Sequence, residues 1–228
     1  LRRQRQMCIR DSIDTDHMAT YGGDFGQLTD TFLKFLHNLP FYGLAVLCSD
    51  DSVIRDLRPH VRRPVVTYGV EPQADYQATD IRQDGTRMQF AVSLTDGSAI
   101  EVDLALPGLH NVRNALAAIA VADKVGISPD SIVKGLRNFA GIGRRFEILG
   151  EIHFDSGRAL LVDDYAHHPR EIEATLAAAQ GSWPDRRKVV VFQPHRFTRT
   201  EELLDDFSAL LDGVACLVIT EVYAAGEK

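Results

Sequence analysis

LLVDDYAHHPREIEATLAAAQGSWPDRRKVVVFQPHRFTRT, residues 160–200, decides the fold. The apolar run LLV ends in a polar loop, DDYAHHP, and a stretch of helical period follows. A second run, KVVVF, ends in QPHRF, and another helical stretch begins. Strand, loop and helix repeated at these lengths predict β-α-β units on a parallel sheet. Ile172, Leu176 and Ala179 mark the buried stripe of the first helix, with Pro169 at its first position. Thr198-x-x-Glu201 predicts a capping box for the second, whose face is Leu203, Phe207, Leu210 and Leu211. The run VACLVIT (214–220) predicts a third strand of the same sheet. In open α/β sheets, ligands bind beyond the carboxyl ends of the strands. Both loops at those ends are dense in groups that bind anions, metals or protons. Asp163, Asp164, Tyr165, His167 and His168 stand in the first loop, and His195, Arg196 and Arg199 in the second.

Working back toward the amino terminus, GIGRRFE (141–147) reads as a connector, and Gly141 and Gly143 give it the freedom of a hinge. The boundary between two domains is placed here, at 12–144 and 145–228. Before it, Ser128 and Pro129 predict a helix start with a face of Ile132, Leu136 and Phe139. A helix from His110 carries Val112, Ala115, Leu116, Ile119 and Ala122 on one side and stops at Gly126. Phe90, Val92 and Leu94 alternate, Asp96-Gly97 turns, and Ile100, Val102 and Leu104 alternate again, which predicts a hairpin. Val65–Val70 and LAVLC (44–48) read as strands, and SDDSVIRDL as a helix start capped by Ser49. Leu28, Phe32, Phe35 and Leu36 predict a helix that Pro40 closes. Residues 1–11, basic and without period, are read as a leader foreign to the fold, with no apolar core of a targeting signal. No strand is expected ahead of IDTDHMATY (13–21), so the chain is expected to begin inside a domain. Three strands are few for a doubly wound sheet, so its last strands are expected to be missing.

The 228 residues carry a net charge of −7, which supplies no basic field for nucleic acid. No apolar run reaches the roughly 20 residues of a membrane span. The three cysteines are odd in number and far apart, as free thiols of a cytoplasmic protein would be.

Each candidate group has a functional and a structural reading. His168 precedes a helix N-terminus, where N–H groups favour anions, or it only caps that helix. Asp163 and Asp164 could hold ribose hydroxyls or a metal, or only pair with nearby backbone. Arg196 and Arg199 could fork onto carboxylate or phosphate, or only pair with Glu201 and Glu202. Asn111 and Asn114, at i and i+3 on one helix face, could read an adenine edge or cap the helix. Arg144 and Arg145 could reach a triphosphate or be a surface pair. His17, with Asp14 and Asp16, could ligate Mg2+ or Mn2+. A metal-dependent hydrolase built on His17, Asp163, Asp164, His167 and His168 is the reading from another class.

Taken in order, DTDHMATYGGDF, FLHNLPFYG, HNVRNALAA, GIGRRFE, DDYAHHP and QPHRFTRT resemble the Mur ligases over residues 12 to 228. The resemblance implies a partial ATPase-type central domain followed by a partial Rossmann-like carboxyl-terminal domain, both α/β. It implies ATP and Mg2+ as cofactors, UDP-N-acetylmuramate and L-alanine as substrates, and a cytoplasmic place in peptidoglycan precursor synthesis. A related muropeptide ligase shares the AHHP-type loop and is the alternative within the family. The resemblance assigns His17 to the magnesium, Asn111 and Asn114 to adenine, Arg145 to the ATP phosphates and Asp164 to the ribose. It sets Tyr165, His167, His168, His195, Arg196 and Arg199 around the muramate and alanine, with Arg145, His168, His195, Arg196 and Arg199 as catalytic candidates. The G-x-x-x-x-G-K-[ST] phosphate loop of the family does not occur in these residues, nor does a UDP-binding domain. Asp14-Thr15-Asp16 stands where the family often has Glu-Ala-Asp. The chain by itself is therefore expected to be inactive.

Overall fold

In a computed structural model that describes residues 7–10, 12–14, 18–155 and 157–227, the chain divides into two α/β units. The first holds most of the chain up to Phe139. The second runs from Ala140 onward and includes the short segments Gln83–Thr86 and Leu106–Gly108.

One six-stranded sheet carries the first unit, in the order β1 (Met7–Arg10), β2 (Leu44–Cys48), β3 (Val65–Gly69), β4 (Tyr76–Asp84), β5 (Arg87–Ser93) and β6 (Ala99–Leu104). The first four strands run parallel. LAVLC and VVTYG are almost wholly buried, as expected of parallel strands covered on both faces. Helix α3 (Leu109–Lys124) packs on β2 and β3 through Val112, Ala115, Leu116 and Ile119. Gly126, at φ +83°, takes the left-handed conformation that ends it. Phe90 lies opposite Val102 and Val92 opposite Ile100, and Gly97 at φ +85° makes the turn, which is the expected hairpin. Helix α1 (Phe25–His37) starts on Asp24, whose Oδ1 accepts from Gly26 N at 2.7 Å, and it buries Leu28 and Leu36. Phe35, expected on that face, is half exposed. Helix α4 (Pro129–Arg137) follows Ser128, whose hydroxyl bonds Ser131 Oγ rather than the backbone.

Three expectations for this unit are corrected. Residues 7–10 are not outside the fold, because β1 pairs in register with β2, Cys8 against Ala45. A four-residue edge strand is too short to show a period of two. Ser49 is not the cap of α2 (Ser52–Leu57). Asp51 Oδ1 accepts from Ile54 N at 2.9 Å, and Ser49 donates to Tyr68 O instead. Strand β4 was not expected, since YQATDIRQD buries only Tyr76 and Ala78 and otherwise reads as polar loop.

The second unit departs further. Its sheet is not one parallel sheet. The LLV strand belongs to β8 (Gly157–Asp163), which pairs antiparallel with β7 (Glu147–Phe154). β9 (Val189–Phe192) and β10 (Cys216–Ile219) form a separate parallel pair. EILGEI is itself a strand, and a strand beside a turn finds its nearest neighbour in sequence at the least loop-closure cost. Helix α5 (Pro169–Ser182) comes as expected. The next helix is broken at Leu203, at φ −114° and ψ 20°, into α6 (Phe197–Glu202) and α7 (Leu204–Leu211). Ile172, Phe192, Phe207 and Leu211 form the core here, with the two phenylalanine rings 5.3 Å apart. Cys48 and Cys216 are free thiols, and burial pushes the Cys48 thiol up. Among the described residues no helix is long and apolar enough to cross a membrane.

Candidate active site

The loops after β8 and β9 lie together in the second unit. In the first loop, Asp164 is fully engaged by backbone. Its Oδ1 accepts from Ala166 N and its Oδ2 from Phe146 N, both at 2.8 Å. Asp163 Oδ2 sits 3.4 Å from Arg144 Nε. The Arg144 guanidinium lies 4.7 Å over the Tyr165 ring, and Tyr165 N donates to Arg144 O at 2.8 Å. Arg144 and Phe146 both have positive φ, +59° and +50°. Such backbone costs about 1–2 kcal/mol per non-glycine residue. Glu147, which accepts from Arg144 N at 2.7 Å, and Asp164 hold it. Arg145 stands between these two residues.

His168 caps α5. Its Nδ1 accepts from Arg170 N at 3.4 Å, and Glu171 reaches back in a reciprocal capping box. Glu171 Oε2 accepts from His167 N at 3.0 Å and His168 N at 3.3 Å, and Oε1 lies 3.5 Å from Arg145 Nη1. Burial pushes the Glu171 carboxyl up. The His167 N–H, the His167 charge, the His168 N–H and Arg145 together outweigh burial and hold it below its usual range. Because Nδ1 of His168 accepts, the neutral ring carries its proton on Nε2. That Nε2 is buried with no hydrogen-bond partner among the described residues. His167 Nδ1 lies 2.9 Å from Tyr165 O, so there it is Nδ1 that donates.

In the second loop, His195 bridges Tyr223 in parallel, and Arg196 N donates to Tyr223 O at 2.8 Å. The segment after β10 therefore folds back over the loop. Thr198 does not cap with Glu201. Its hydroxyl donates to Glu227 Oε1 at 2.6 Å and its N to Oε2 at 3.1 Å, because the helix begins one residue earlier, at Phe197. The Thr198 hydroxyl is the main cause that holds the Glu227 carboxyl low. Arg199 is 7% exposed. The His195 ring lies 5.4 Å from His167, 6.3 Å from Tyr165 and 5.2 Å from Tyr223. Burial lowers the His195 pKa, and the charges of His167, Arg199 and Arg196 lower it further against Glu227. Its Nδ1 is also buried without a hydrogen-bond partner among the described residues.

Asn111 and Asn114 open α3 in the first unit, with Asn114 Nδ2 donating to Asn111 Oδ1 at 3.5 Å. Between them, Arg113 Nε binds Asp50 Oδ2 at 2.7 Å, and Asp50 also accepts from Val70 N and Glu71 N at 3.0 Å. A cleft of about 930 Å³ beside β2 and β3, lined by Cys48, Asp50, Arg55 and Glu71 among others, contains none of the candidates. His17 and Asp16 lie outside the described residues. Among the described residues no three His, Cys, Asp or Glu side chains are grouped to hold a metal. The hydrolase reading thus loses its carboxylates, since Asp163 faces Arg144 and Asp164 faces backbone N–H groups.

The structure gathers Tyr165, His167 and His195 by ring contact, and Arg145, His167 and His168 around Glu171. Sequence reasoning missed Glu171, Tyr223 and Glu227. A signal existed for Glu171, since His168-x-x-Glu171 has capping-box spacing with histidine in place of serine. None existed for Tyr223 and Glu227, whose partners lie about 28 residues away across a strand and two helices.

The profile of the Mur ligase middle domain matches residues 7–122, and that of the Mur ligase, glutamate ligase domain matches residues 144–228. The UDP-N-acetylmuramate–L-alanine ligase of Halorhodospira halophila is 56% identical over 216 residues, which cover 95% of this chain and 44% of the relative. The crystal structure of the UDP-N-acetylmuramate–alanine ligase of Thermotoga maritima is 29% identical, with a TM-score of 0.75 over 97% of this chain and 47% of that one. The MurF ligase of Thermotoga maritima in complex with ADP has a TM-score of 0.71 at 17% identity, over 93% of this chain and 48% of that one, a likeness of fold. The chain spans less than half the length of each.

Proposed function

The chain belongs to the Mur ligase family, and from that premise we propose that it carries part of an ATP-dependent ligase joining L-alanine to UDP-N-acetylmuramate. The chemistry supplied by ATP is transfer of a phosphoryl group to the muramate carboxylate, which the alanine amine then displaces as phosphate. Charge develops on phosphoryl oxygens and at a tetrahedral carbon, so cations and fixed N–H donors are what this chain must provide.

The observation that carries the reading is the pair of buried imidazole nitrogens without partners, His168 Nε2 and His195 Nδ1, beside the Arg199 side chain. A buried polar atom left unpaired costs about 1–3 kcal/mol, and an anionic ligand removes that cost at His168, where the nitrogen bears a proton. Arg145, half exposed, is free to meet phosphate with its outer nitrogens while Glu171 holds it from behind. We assign Arg145 to the ATP phosphates and Asn111 and Asn114 to the adenine. Tyr165, His167, His168, His195, Arg196 and Arg199 are assigned to muramate and alanine. His17 is assigned to the magnesium that accompanies ATP. For Asp164 the ribose role requires giving up a backbone bond, since both oxygens are occupied. Substrates of this kind, a nucleotide sugar and ATP, suit the cytoplasm.

The test is alanine-dependent ADP release by an intact ligase bearing this sequence. It should appear with UDP-N-acetylmuramate and vanish when either substrate is withheld. Release that ignores alanine would refute the assignment. The 228 residues alone should release none, for want of the phosphate-loop lysine.

A further inference from the structure

Glu171 touches three of the groups assigned to the site and is assigned no part in it. Its carboxylate accepts the His167 and His168 N–H groups, lies 3.5 Å from His167 Nδ1, and faces Arg145 Nη1 at the same distance. A helix cap needs only the first two contacts. The other two need a negative charge. The carboxyl stays ionised because these four neighbours outweigh the cost of its burial. Arg145 follows a residue with positive φ and precedes another, so its backbone is fixed while its side chain is 53% exposed. Among the described residues Glu171 is the one carboxylate paired with that guanidinium.

We propose that Glu171 is a positioning residue for the ligase reaction, whose charge sets the Arg145 guanidinium and the His167–His168 loop in one arrangement. The proposal rests on the reading of Arg145 as a phosphate contact. A guanidinium that wanders over several rotamers must be ordered again at each turnover, and a misplacement of about 1 Å can cost up to a hundredfold in rate. Glu171 removes that disorder before substrate arrives.

Glutamine separates the two roles. Capping boxes accept Glu or Gln, so Glu171→Gln keeps the reciprocal cap and discards the charge. The thermal midpoint of the protein should stay unchanged. In the intact ligase kcat should fall about tenfold with KM for ATP nearly unmoved, and Glu171→Asp should recover part of the loss. Added to Arg145→Ala, Glu171→Gln should lower kcat no further, because a residue that acts through Arg145 has nothing left to place. The inference is overturned if Glu171→Gln keeps the parent kcat, if its loss comes with a fall in the thermal midpoint, or if the two losses multiply in the double variant. Should Arg145→Ala itself leave kcat untouched, the phosphate assignment fails first and the inference with it.

Discussion

Replacing Asp164 separates a latch from a ligand. Its two oxygens each accept a backbone N–H at 2.8 Å, from Phe146 before β7 and from Ala166 after β8. Hydrogen bonds to a charged acceptor contribute about 1.5–3 kcal/mol each, and the carboxylate is partly exposed, so the low end applies. Asp164→Ala therefore removes about 3 kcal/mol. Phe146 is 5% exposed, so its N–H loses its partner where water does not readily replace it. One effect runs the other way. Phe146 sits at φ +50°, and once released it can relax from a conformation that costs about 1–2 kcal/mol. The net loss is about 2 kcal/mol, with Asp164→Asn, which keeps one acceptor oxygen, losing about half.

The chain carries its own reporter for this experiment. Its single tryptophan, Trp183, stacks on Phe146 with ring centroids 5.9 Å apart. Urea unfolding followed by Trp183 fluorescence should show the Asp164→Ala midpoint lowered, and lowered further than that of Asp164→Asn. At a slope of about 1–3 kcal/mol per molar urea, 2 kcal/mol moves the midpoint by about 1 M. An unchanged midpoint refutes the latch. If in addition KM for ATP rises in the intact ligase, Asp164 spends its carboxylate on the nucleotide ribose.

Two other outcomes follow from the same contacts. Arg145→Ala in the intact ligase should lower kcat by about a hundredfold, with Arg145→Lys recovering only part because it lacks the planar fork. Asn114→Ala should raise KM for ATP and spare kcat. Steady-state kinetics separate the two, and a rise in KM alone for Arg145→Ala would make it a mere holder of nucleotide. His195 supplies a pH dependence. Its folded pKa lies below the ordinary imidazole value of about 6.5, so below that pH the unfolded chain binds the extra proton first. Stability should fall as pH drops through that value and on to the folded pKa, and His195→Gln should flatten the fall in a pH series of unfolding curves.

What could be read from the sequence followed the length of the signal. α3 and the β5–β6 hairpin each repeat their period several times, and both stand where expected. β1 and β4 do not. One is four residues long, and the other buries two side chains of nine. In the second unit the order of strands and helices was legible but the pairing was not. LLV looks the same whether its neighbour is the antiparallel β7 or a parallel β9, since backbone hydrogen bonds leave no mark on composition. The dense polar loops were legible as a site because apolar strands frame them. The members that close it, Tyr223 and Glu227, come from a segment of ordinary composition brought in by a single bridge.

His168 shows why a binding residue can hide as a structural one. Ser, Thr, Asp and Asn are better caps than histidine, and each would satisfy the first turn of α5. What none of them has is a second polar atom on the far side of the ring. Capping through Nδ1 fixes the proton on Nε2 and points that donor away from the helix, where it is buried without a partner. His168→Asn should therefore leave stability equal to or above that of the parent, because the cap is kept and an unpaired buried donor is removed. It should also lower kcat/KM in the intact ligase by about 10–100-fold, the worth of one hydrogen bond of about 1.5–3 kcal/mol to an anion. Ser at the same position should behave alike. A drop in stability with unchanged kcat/KM would reduce His168 to a cap, and the anion would then have to be held by the arginines alone.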